Sequence, residues 1–510
     1  MPTKTAFLAF LALLLPGSAW ACGGFFCSNA PVLQRGERIL FEVPGDGTIS
    51  VTVDIDYRGA AEDFSWILPV PDTPDLSVAD DALLTTLDAA TRPVIIPPDF
   101  LCTHPPVWND CDDCDGEASF DIPSPYDGSV RVEGLPQVGP FDPVVVSSDD
   151  PDALLQWLDG EGYAVTRAME PIIAEYTVSG MRFLALKLAP EADVGAITPL
   201  RLTYTAEKPS IPLRLTAVGA EPDLRVVVLV AANQRYEPEN WAGFQVQEVD
   251  VRADAFGRDN NYAQLVGWRA DQRGGRAWAT ELAGGSGEVL SGVDRLLNTN
   301  DSAVDAIVEL ADTFSYFTRL ETYISPWEMT DDPVFRPSSG PDVDNVIDLS
   351  HRSGQEFCPS QGEPLDPFKR CARRYCGEGE CATASVVDGG GSGCWCPDGF
   401  AGMAGPLGPT CVPVDADVME TDACAADPDV CGTRGDCLSI NGDVACVCDE
   451  GTAWIRGQCR PIEFQYGPNR LLADMNNRAL GCNGCSTSGA AHPWLWSLLL
   501  LPLAALRRRS

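Results

Sequence analysis

The stretch ISVTVDIDY, Ile49–Tyr57, alternates apolar and polar residues at every step. This pattern is typical of a β-strand with one face on a core and the other in water. A second stretch, RVVVLVAA, Arg225–Ala232, is continuously apolar and rich in β-branched residues, which predicts a strand covered on both faces. Phe183–Leu188 and the alternating run Leu213–Val218 predict two further strands. These runs indicate a strand-rich globular domain.

Three segments predict helices. Asp150 supplies an N-cap and Pro151 a first helical residue for a helix that stops at Gly160. Asp80–Ala90 is a second candidate. A third helix, Ser302–Phe314, places one apolar stripe on Val304, Ile307, Val308, Ala311 and Phe314. Because repeated βα units are missing from the sequence pattern, the predicted fold class is α+β and mainly β.

The first residues have the pattern of a secretory signal peptide. Lys4 precedes the apolar run Ala6–Leu15, and Ala19–Ala21 fits a small-x-small cleavage site. We therefore predict a signal peptide over residues 1–21. Cleavage there leaves Cys22 first, so lipidation of Cys22 is an alternative.

Charge and cysteine content favour an exported protein. The formal net charge is −39, which argues against binding to nucleic acid or to anionic lipid and suits solubility outside the cell. The chain has twenty cysteines, and twelve of them lie between Cys371 and Cys459. In an exported protein this density predicts disulfides and a change of architecture.

Residues 97–144 are rich in Pro, Asp and Gly and predict an inserted loop region. It carries Cys102, Cys111 and Cys114, with His104 as the nearby histidine. A disulfide-pinned loop is favoured over a zinc site, which needs four Cys or His ligands. Calcium is the candidate ligand for four aspartates, although their spacing differs from that of a helix–loop–helix site: Asp110, Asp112, Asp113 and Asp115. No other cofactor is predicted.

The cysteines of residues 371–411 and 424–459 follow two similar spacings, C-x4-C-x4-C-x12-C-x-C-x14-C and C-x6-C-x5-C-x8-C-x-C-x10-C. Both segments resemble epidermal-growth-factor-like (EGF-like) modules. That resemblance implies pairing of the first cysteine with the third, the second with the fourth and the fifth with the sixth. The implied pairs are Cys371–Cys381, Cys376–Cys394, Cys396–Cys411, Cys424–Cys437, Cys431–Cys446 and Cys448–Cys459. Modules this small need crosslinks to fold, and they serve as spacers or as interaction units.

Four stretches of the globular region carry a further resemblance. They are Ala21–Cys27, Ala61–Pro71, Ile211–Thr216, and Tyr316–Thr322 with Met329–Phe335. From about Cys22 to Phe335 the chain resembles a bacterial envelope family, the domain of unknown function 2330. The resemblance implies no activity. Cys22 and Cys27 predict a local disulfide, and Cys102, Cys111, Cys114 and Cys358 supply two more pairs whose partners stay open.

The histidine content argues against nucleophilic catalysis. The chain has three histidines, His104, His351 and His492, and none lies in the main predicted core. No convincing catalytic constellation is visible, so we predict that the protein is not an enzyme. The alternative is a cell-surface hydrolase using paired carboxylates, with Glu62 and Asp63 as the pair to test. Turn chemistry is the favoured interpretation of that pair.

The C-terminal stretch GCNGCSTSGAAHPWLWSLLLLPLAALRRRS, Gly481–Ser510, combines cysteines, small residues, a short apolar segment and a basic end. An ordinary anchor is one interpretation, with a membrane span at about residues 490–506. The set also has the pattern of a processed sorting signal. It resembles the myxobacterial C-terminal sorting signal of the MYXO-CTERM type. That resemblance implies cleavage by a dedicated protease near Cys482 or Cys485, with Cys482 the favoured attachment site, and loss of Arg507, Arg508 and Arg509.

The predicted organisation follows from these segments. The ranges are a signal peptide (1–21), a β-rich domain (22–350), a linker (351–370), two EGF-like modules (371–411 and 424–459), a stalk (460–480) and a sorting signal (481–510). We predict a surface-anchored envelope protein, on the outer surface of a Gram-negative bacterium, with a binding or structural role. Its expected partners are the export machinery, a sorting protease and an extracellular protein or glycan, and no nucleic acid.

Overall fold

The computed structural model describes residues 33–58, 65–97, 131–163, 165–188, 198–253, 260–291, 302–352, 371, 375–384, 391–416, 423–425 and 427–466. We call the part within residues 33–352 the head and the part within residues 371–466 the cystine-rich region. The model bears out the predicted class: it is mainly β, with the disulfides gathered toward the C-terminus.

The elements of the head follow in chain order. Its strands are β1 (Leu33–Val43), β2 (Thr48–Arg58), β3 (Ser65–Val70), β4 (Asp75–Val78), β5 (Val94–Ile96), β6 (Arg131–Gly134), β7 (Phe141–Ser147), β8 (Arg182–Leu188), β9 (Leu200–Thr205), β10 (Ala220–Ala232), β11 (Tyr236–Pro238), β12 (Ala242–Phe244), β13 (Ala277–Gly285), β14 (Tyr316–Ile324), β15 (Phe335–Pro337) and β16 (Val346–Asp348). Its helices are α1 (Asp81–Thr91), α2 (Pro151–Gly160), α3 (Glu170–Val178), α4 (Leu213–Thr216), α5 (Tyr262–Asp271), α6 (Ser286–Val289) and α7 (Ser302–Thr313). Two short 3-10 turns are Glu248–Asp250 and Pro326–Glu328.

A mixed eight-stranded sheet forms the centre of the head, in the order β12-β13-β14-β10-β1-β2-β9-β4. The strand β10 lies inside it, parallel to β1 and antiparallel to β14. Val226 and Val228 pack into one core, whereas Val227 and Leu229 pack into another on the opposite face. The prediction of a strand covered on both faces is therefore confirmed for this segment.

The head has four layers. One face of the eight-stranded sheet packs on a four-stranded sheet of order β3-β8-β7-β6, and the side chains between the two sheets form the largest core. Helices α2 and α3 cover the outer face of the smaller sheet. Helices α1 and α7 cover the other face of the larger sheet, and α5 packs beside them on β13 and β14. Two sheets that share one apolar interface, each covered by helices, thus define the architecture.

The helix predicted from the Asp150 cap begins there, and α1 begins beside a similar cap. Asp80 accepts a hydrogen bond from the Ala82 amide at the start of α1, and Asp150 accepts one from the Asp152 amide at the start of α2. The apolar stripe predicted for α7 is wrong in detail. The buried side chains are Ala303, Ile307, Leu310 and Phe314, while Val308 is exposed. The helix is thus rotated so that Leu310 and not Val308 meets α1 and the sheet.

The predicted strand at Leu213–Val218 is also wrong, because Leu213–Thr216 forms the short helix α4. Leu213 packs between the two sheets, and Leu215 packs beneath α2 and α3. Two leucines at alternate positions match the apolar pattern of a strand. Here a single helical turn at the end of the smaller sheet carries them, and each is buried in a different core.

The predicted insert extends too far toward the C-terminus. Within residues 97–144, the segment Arg131–Gly134 is strand β6, and β7 begins at Phe141. Val145 of β7 faces the core between the sheets and Val146 faces α2 and α3. Residues 98–130, with the predicted cysteines and calcium candidates, lie outside the described residues.

The cystine-rich region is built from short strands. They are β17 (Glu380–Thr383), β18 (Ser392–Trp395), β19 (Phe400–Gly405), β20 (Gly408–Pro413), β21 (Gly435–Ile440), β22 (Asp443–Cys448), β23 (Thr452–Ile455), β24 (Gln458–Pro461) and β25 (Phe464–Tyr466). They form a sheet of order β24-β23-β18-β17-β25 and another of order β20-β19-β22-β21. Each sheet takes strands from both cysteine segments, so the two segments form one body. The strand β25 falls in the range predicted as a stalk (460–480), so the predicted start of that stalk is wrong.

Six disulfides link this region: Cys371–Cys381, Cys376–Cys394, Cys396–Cys411, Cys424–Cys437, Cys431–Cys446 and Cys448–Cys459. These are the pairs that the resemblance to EGF-like modules implies. Between the two segments, Gly402 pairs with Cys446 across β19 and β22. A Cβ on Gly402 would lie 2.4 Å from Cβ of Trp454, so only glycine allows this close packing.

Candidate functional site

Two of the stretches quoted above lie against each other. The Ile211 amide donates to the Pro333 carbonyl at 3.2 Å, and the Arg214 amide donates to Asp332 Oδ1 at 3.0 Å. From α3, the Tyr176 hydroxyl donates to Asp332 Oδ2 at 2.6 Å. Asp332 therefore joins α3, α4 and the segment before β15.

Asp332 has a structural role, because it links three segments of the head. Burial raises the pKa of Asp332, and the hydrogen bonds from Tyr176 and Arg214 oppose this rise. The Arg214 guanidinium is engaged with Glu175 at 2.6 Å. Both oxygens of Asp332 have donors, as expected of a partly buried carboxylate that holds a fold together.

The stretch around Trp66 joins the same core. Trp66 and Val70 of β3 pack with Ile211 and Met329 between the two sheets. Phe335, the last residue of the stretch Met329–Phe335, lies in the same core. Its ring centroid is 5.4 Å from that of Trp278. The described parts of these stretches thus meet in the central packing of the head, which gives them a physical role independent of any reaction.

The strand β14 carries a buried charge network that the sequence reasoning missed. Arg319 is completely buried and lies between three carboxyl groups, 2.5 Å from Glu281, 2.6 Å from Glu321 and 2.8 Å from Asp88. Arg225 of β10 forms further ion pairs with Asp88 and Glu321, each at 2.9 Å. Part of the network could have been predicted, because Arg319 and Glu321 are two residues apart on a strand and must share one face.

Within this network, the two guanidinium groups lower the pKa of two carboxyls. Burial opposes the shift, but hydrogen bonding by Arg225 and the charge of Arg319 lower the pKa of Asp88 to about 2. The same two arginines lower the pKa of Glu321, again against burial. Both groups are therefore carboxylates at neutral pH.

Glu281 behaves differently. Burial raises the pKa of Glu281 to about 8, the Glu321 carboxylate adds to this, and Arg319 opposes it. Two guanidinium groups and three carboxyls leave one excess negative charge, which protonation of Glu281 removes. Neutral Glu281 balances the network, as expected for charges in a low-dielectric interior.

The network holds elements together. The side chains of Arg319 and Glu281 have no solvent exposure, so a soluble substrate does not reach them in this structure. Arg319 also donates to Thr91 Oγ1 at 3.2 Å, which ties the end of α1 to the sheet. We interpret the network as the polar anchor of α1 on β10, β13 and β14.

A second cluster lies where the cystine-rich region meets the head. Asp223 has a left-handed backbone (φ 56°) within β10, and its amide donates to Ser325 Oγ at 3.1 Å. Glu328 accepts from the Ser325 amide at 2.9 Å and closes a capping box. From the cystine-rich region, Thr410 hydrogen-bonds Asp223. We call this place the junction.

Apolar contacts surround the junction. Trp327 packs against Ala401 and Met403 of β19. Leu407, between β19 and β20, packs with the core beneath α5. The cystine-rich region is therefore docked on the head along α5 and the Pro326–Glu328 turn.

The smaller sheet has a surface groove of about 340 Å³ beside β6 and β7, at the end of α3. Polar groups dominate its lining, among them Arg131, Glu133 and Ser147. Arg182, also at the groove, is engaged with Asp72 at 3.2 Å. Hydroxyl, carboxylate and guanidinium groups on an open surface suit a polar ligand.

Most predicted site residues lie outside the described residues. They are Cys22, Cys27, Glu62, Asp63, Cys102, Asp110, Cys111, Asp112, Asp113, Cys114, Asp115, Cys358, Cys482, Cys485, Arg507, Arg508 and Arg509, with His104 and His492. Their roles stay predictions. His351 is described: it is exposed and lies 3.2 Å from Glu248.

The side chains and helices of the described residues bear on two of the predictions. Among these residues, no group of three or more His, Cys, Asp or Glu side chains is arranged to hold a metal ion. No helix in the same ranges combines the length and apolar character needed to cross a membrane. The span predicted at about residues 490–506 falls outside them.

The fold and its anchors thus define a layered, β-rich protein with a docked, disulfide-linked region. The chain belongs to the family described as an uncharacterized protein conserved in bacteria (DUF2330), whose model matches residues 16–336. This family membership confirms the resemblance of the head. No curated protein and no solved structure matches the chain.

Proposed function

We propose that the protein is an exported, surface-anchored envelope component with a structural or binding role and no catalytic activity. The observation that carries the proposal is the set of six disulfides in the cystine-rich region. Such a set forms and persists in an oxidising compartment, outside the cytosol. The predicted signal peptide and C-terminal sorting signal fit this location, on the outer surface of a Gram-negative bacterium.

The role that we assign to the cystine-rich region is that of an interaction unit docked on the head. Its two EGF-like segments share both of their sheets, and Leu407 packs into the head. A flexible spacer does not need such contacts. The polar groove beside β6 and β7 supports binding of an extracellular glycan or peptide, with Arg131 and Arg182 as the cationic groups.

Location is tested on intact cells. We expect a membrane-impermeant maleimide to label the cystine-rich region only after a reducing agent is added, and external protease to release its peptides. A cytoplasmic marker protein with free thiols is the control. Labelling that requires cell lysis contradicts the surface location, and labelling without reduction contradicts the disulfides.

Anchoring is tested by mass spectrometry of the mature protein. We expect the residues after Cys482 or Cys485 to be missing and one of these cysteines to be modified. Cys482→Ala and Cys485→Ala variants are a matched pair, of which Cys482→Ala is expected to lose attachment. An intact Arg507–Ser510 terminus contradicts processing.

The binding role is tested on a glycan array with the purified exported chain. We expect retention of ligands without turnover, and weaker retention in Arg131→Ala than in Arg336→Ala, a matched exposed arginine away from the groove. Measured hydrolysis that disappears in the double variant Glu62→Gln, Asp63→Asn contradicts the assignment and supports the hydrolase alternative.

A further inference from the structure

The junction collects acidic groups from both parts of the molecule. Asp223 comes from β10, Asp271 from the last residue of α5, and Glu328 from the turn after β14. Glu378 comes from the cystine-rich region, in the turn before β17, and its charge acts on Asp271 and Glu328. Docking therefore brings like charges together at a largely buried interface.

Asp223 is the central member of this cluster. Its side chain is 3% exposed, and its Oδ2 has no hydrogen-bond partner. A Cβ placed on Gly405 would lie 3.5 Å from this oxygen, so Oδ2 faces the β19–β20 hairpin of the cystine-rich region. A buried carboxylate oxygen without a donor is costly, and a proton removes much of that cost.

The arginines near the junction have other partners. Arg269 of α5 pairs with Asp250 at 2.9 Å, and Arg276 pairs with Asp331 at 2.9 Å. Arg273 donates to the Arg269 carbonyl at 3.0 Å. The interactions that shift the junction carboxyls come from burial, from one another and from hydroxyl and amide groups, and no cation contributes to them.

Burial acts on all three groups, and repulsion by neighbouring carboxylates adds to it for Asp271 and Glu328. Burial raises the pKa of Asp223 to about 6, against its hydrogen bonds with Thr410 and Ser325. Burial and the charges of Asp223 and Glu378 raise the pKa of Glu328 to about 7, and the pKa of Asp271 is raised for similar reasons. The ordinary values, 3.8 and 4.5, belong to exposed carboxyls, so the burial that docking adds makes the docked state hold these protons more tightly than the undocked state does.

We propose that proton binding at Asp223, Asp271 and Glu328 controls the docking of the cystine-rich region on the head. In mildly acidic medium the carboxyls are neutral and the interface is closed. As the pH rises from about 4 through about 7, they ionise, repel one another, and weaken the interface. The protein therefore responds to the acidity of its surroundings by loosening a contact between its two parts.

The test uses the purified exported chain with its disulfides intact. Hydrogen exchange, corrected for the intrinsic effect of pH, is measured by mass spectrometry for peptides that cover α5 and the β19–β20 hairpin. We expect exchange there to be about tenfold faster or more at pH 8 than at pH 5, since one unit of pKa difference corresponds to a factor of ten in an equilibrium constant. Peptides from β10 beyond Val227 report the head core and, in a Glu281→Gln background that removes the pH dependence of the head network, should not change.

Variants assign the effect to the named groups. The double variant Asp223→Asn, Glu328→Gln should stay protected at pH 8, and Asp271→Asn alone should recover part of the protection. Glu239→Gln, an exposed acid paired with Lys208, is the matched control and should behave as the wild type. Leu407→Asp should open the interface at both pH values and so define the undocked signal.

Two results would overturn the proposal. One is equal junction exchange at pH 5 and pH 8 in the wild type while Leu407→Asp exchanges faster. The other is a loss of protection at pH 5 when a chelator is added, because a bound cation and not a proton would then neutralise the cluster. If the double variant does not fold, Asp271→Asn decides: an unchanged dependence on pH in that variant contradicts the assignment.

Discussion

The head and the cystine-rich region achieve a fixed structure by different means. The head buries large apolar side chains in successive layers, and a buried network of charges anchors one of its helices. The cystine-rich region has small cores, such as Ala382, Ala384, Ala453 and Ile455, and depends on six disulfides. The difference follows from size, because short segments cannot bury enough apolar surface to offset chain entropy.

The two regions depend to different degrees on the contact between them. If the contact opens, the head loses Leu407 from the core beneath α5, whereas its other three cores are formed by head residues alone. In the cystine-rich region, Leu407 is covered by the head, and Met403 packs both on Trp327 of the head and on its own region. We therefore expect perturbations of the head to act on both regions and perturbations of the cystine-rich region to remain local.

Reduction of all six disulfides should have the largest effect. We expect the cystine-rich region to unfold and the head to remain folded, because loss of one native disulfide from a small domain costs about 2–5 kcal/mol. Hydrogen exchange before and after reduction, read separately for peptides of β10 and β22, measures this. The double variant Cys431→Ala, Cys446→Ala should show part of the effect when oxidised. Loss of protection in β10 on reduction would contradict the independence of the head.

Arg319→Met should be the most damaging single substitution in the head. It leaves Glu281, Glu321 and Asp88 buried beside only Arg225, and removal of one partner from a buried ion pair costs about 3–5 kcal/mol. Chemical denaturation followed by far-ultraviolet circular dichroism measures the change.

The matched control for Arg319 is Arg336→Met. Arg336 forms an exposed ion pair with Glu237, and such pairs contribute about 0–1 kcal/mol. Equal losses in the two variants would remove the distinction between the buried network and the surface pair.

Glu281→Gln tests the charge state of the network. Because the pKa of Glu281 in the folded head is raised from 4.5 to about 8, the folded state holds an extra proton between these values. Its contribution to stability is therefore present below about pH 4.5 and lost as the pH rises through 8, at up to about 1.4 kcal/mol per pH unit. We expect the Glu281→Gln substitution to remove that slope from the free energy of unfolding, measured between pH 5 and pH 8. A slope unchanged from the wild type would show that Glu281 is ionised throughout.

The sequence predicted the strands of the head better than its helical details. Continuous or strictly alternating apolar runs, as in β10 and β2, predict a strand and no other element, because the spacing repeats over many residues. Leu213–Val218 is short, and two leucines at alternate positions fit either a strand or one helical turn. In α7, Val308 and Leu310 both extend the apolar stripe, and only the position of α1 decides that Leu310 is buried.

The sequence pattern could not predict the junction or the complete charge network. Cysteine spacing describes loops inside each segment and says nothing of sheets shared between segments, such as the pairing of Gly402 with Cys446. Arg319 and Glu321 could be assigned to one face of a strand. Their partners Glu281 and Asp88 come from elements distant in the chain, so the network needed the tertiary structure.

Gly267→Ala should have the smallest effect, and its sign should depend on the other region. A Cβ at position 267 in α5 would lie 2.8 Å from Leu407 Cδ1, so the docked leucine must move. We expect a loss of about 1 kcal/mol from crowding at the interface. In a Leu407→Ala background the crowding is relieved, and alanine in a helix interior is favoured over glycine by about 0.5–1 kcal/mol. The same substitution should then be neutral or stabilising, which a double-mutant cycle of unfolding free energies measures. Equal effects of Gly267→Ala in both backgrounds would show that Leu407 does not press on α5 in solution, and the docked arrangement would lose its main apolar contact.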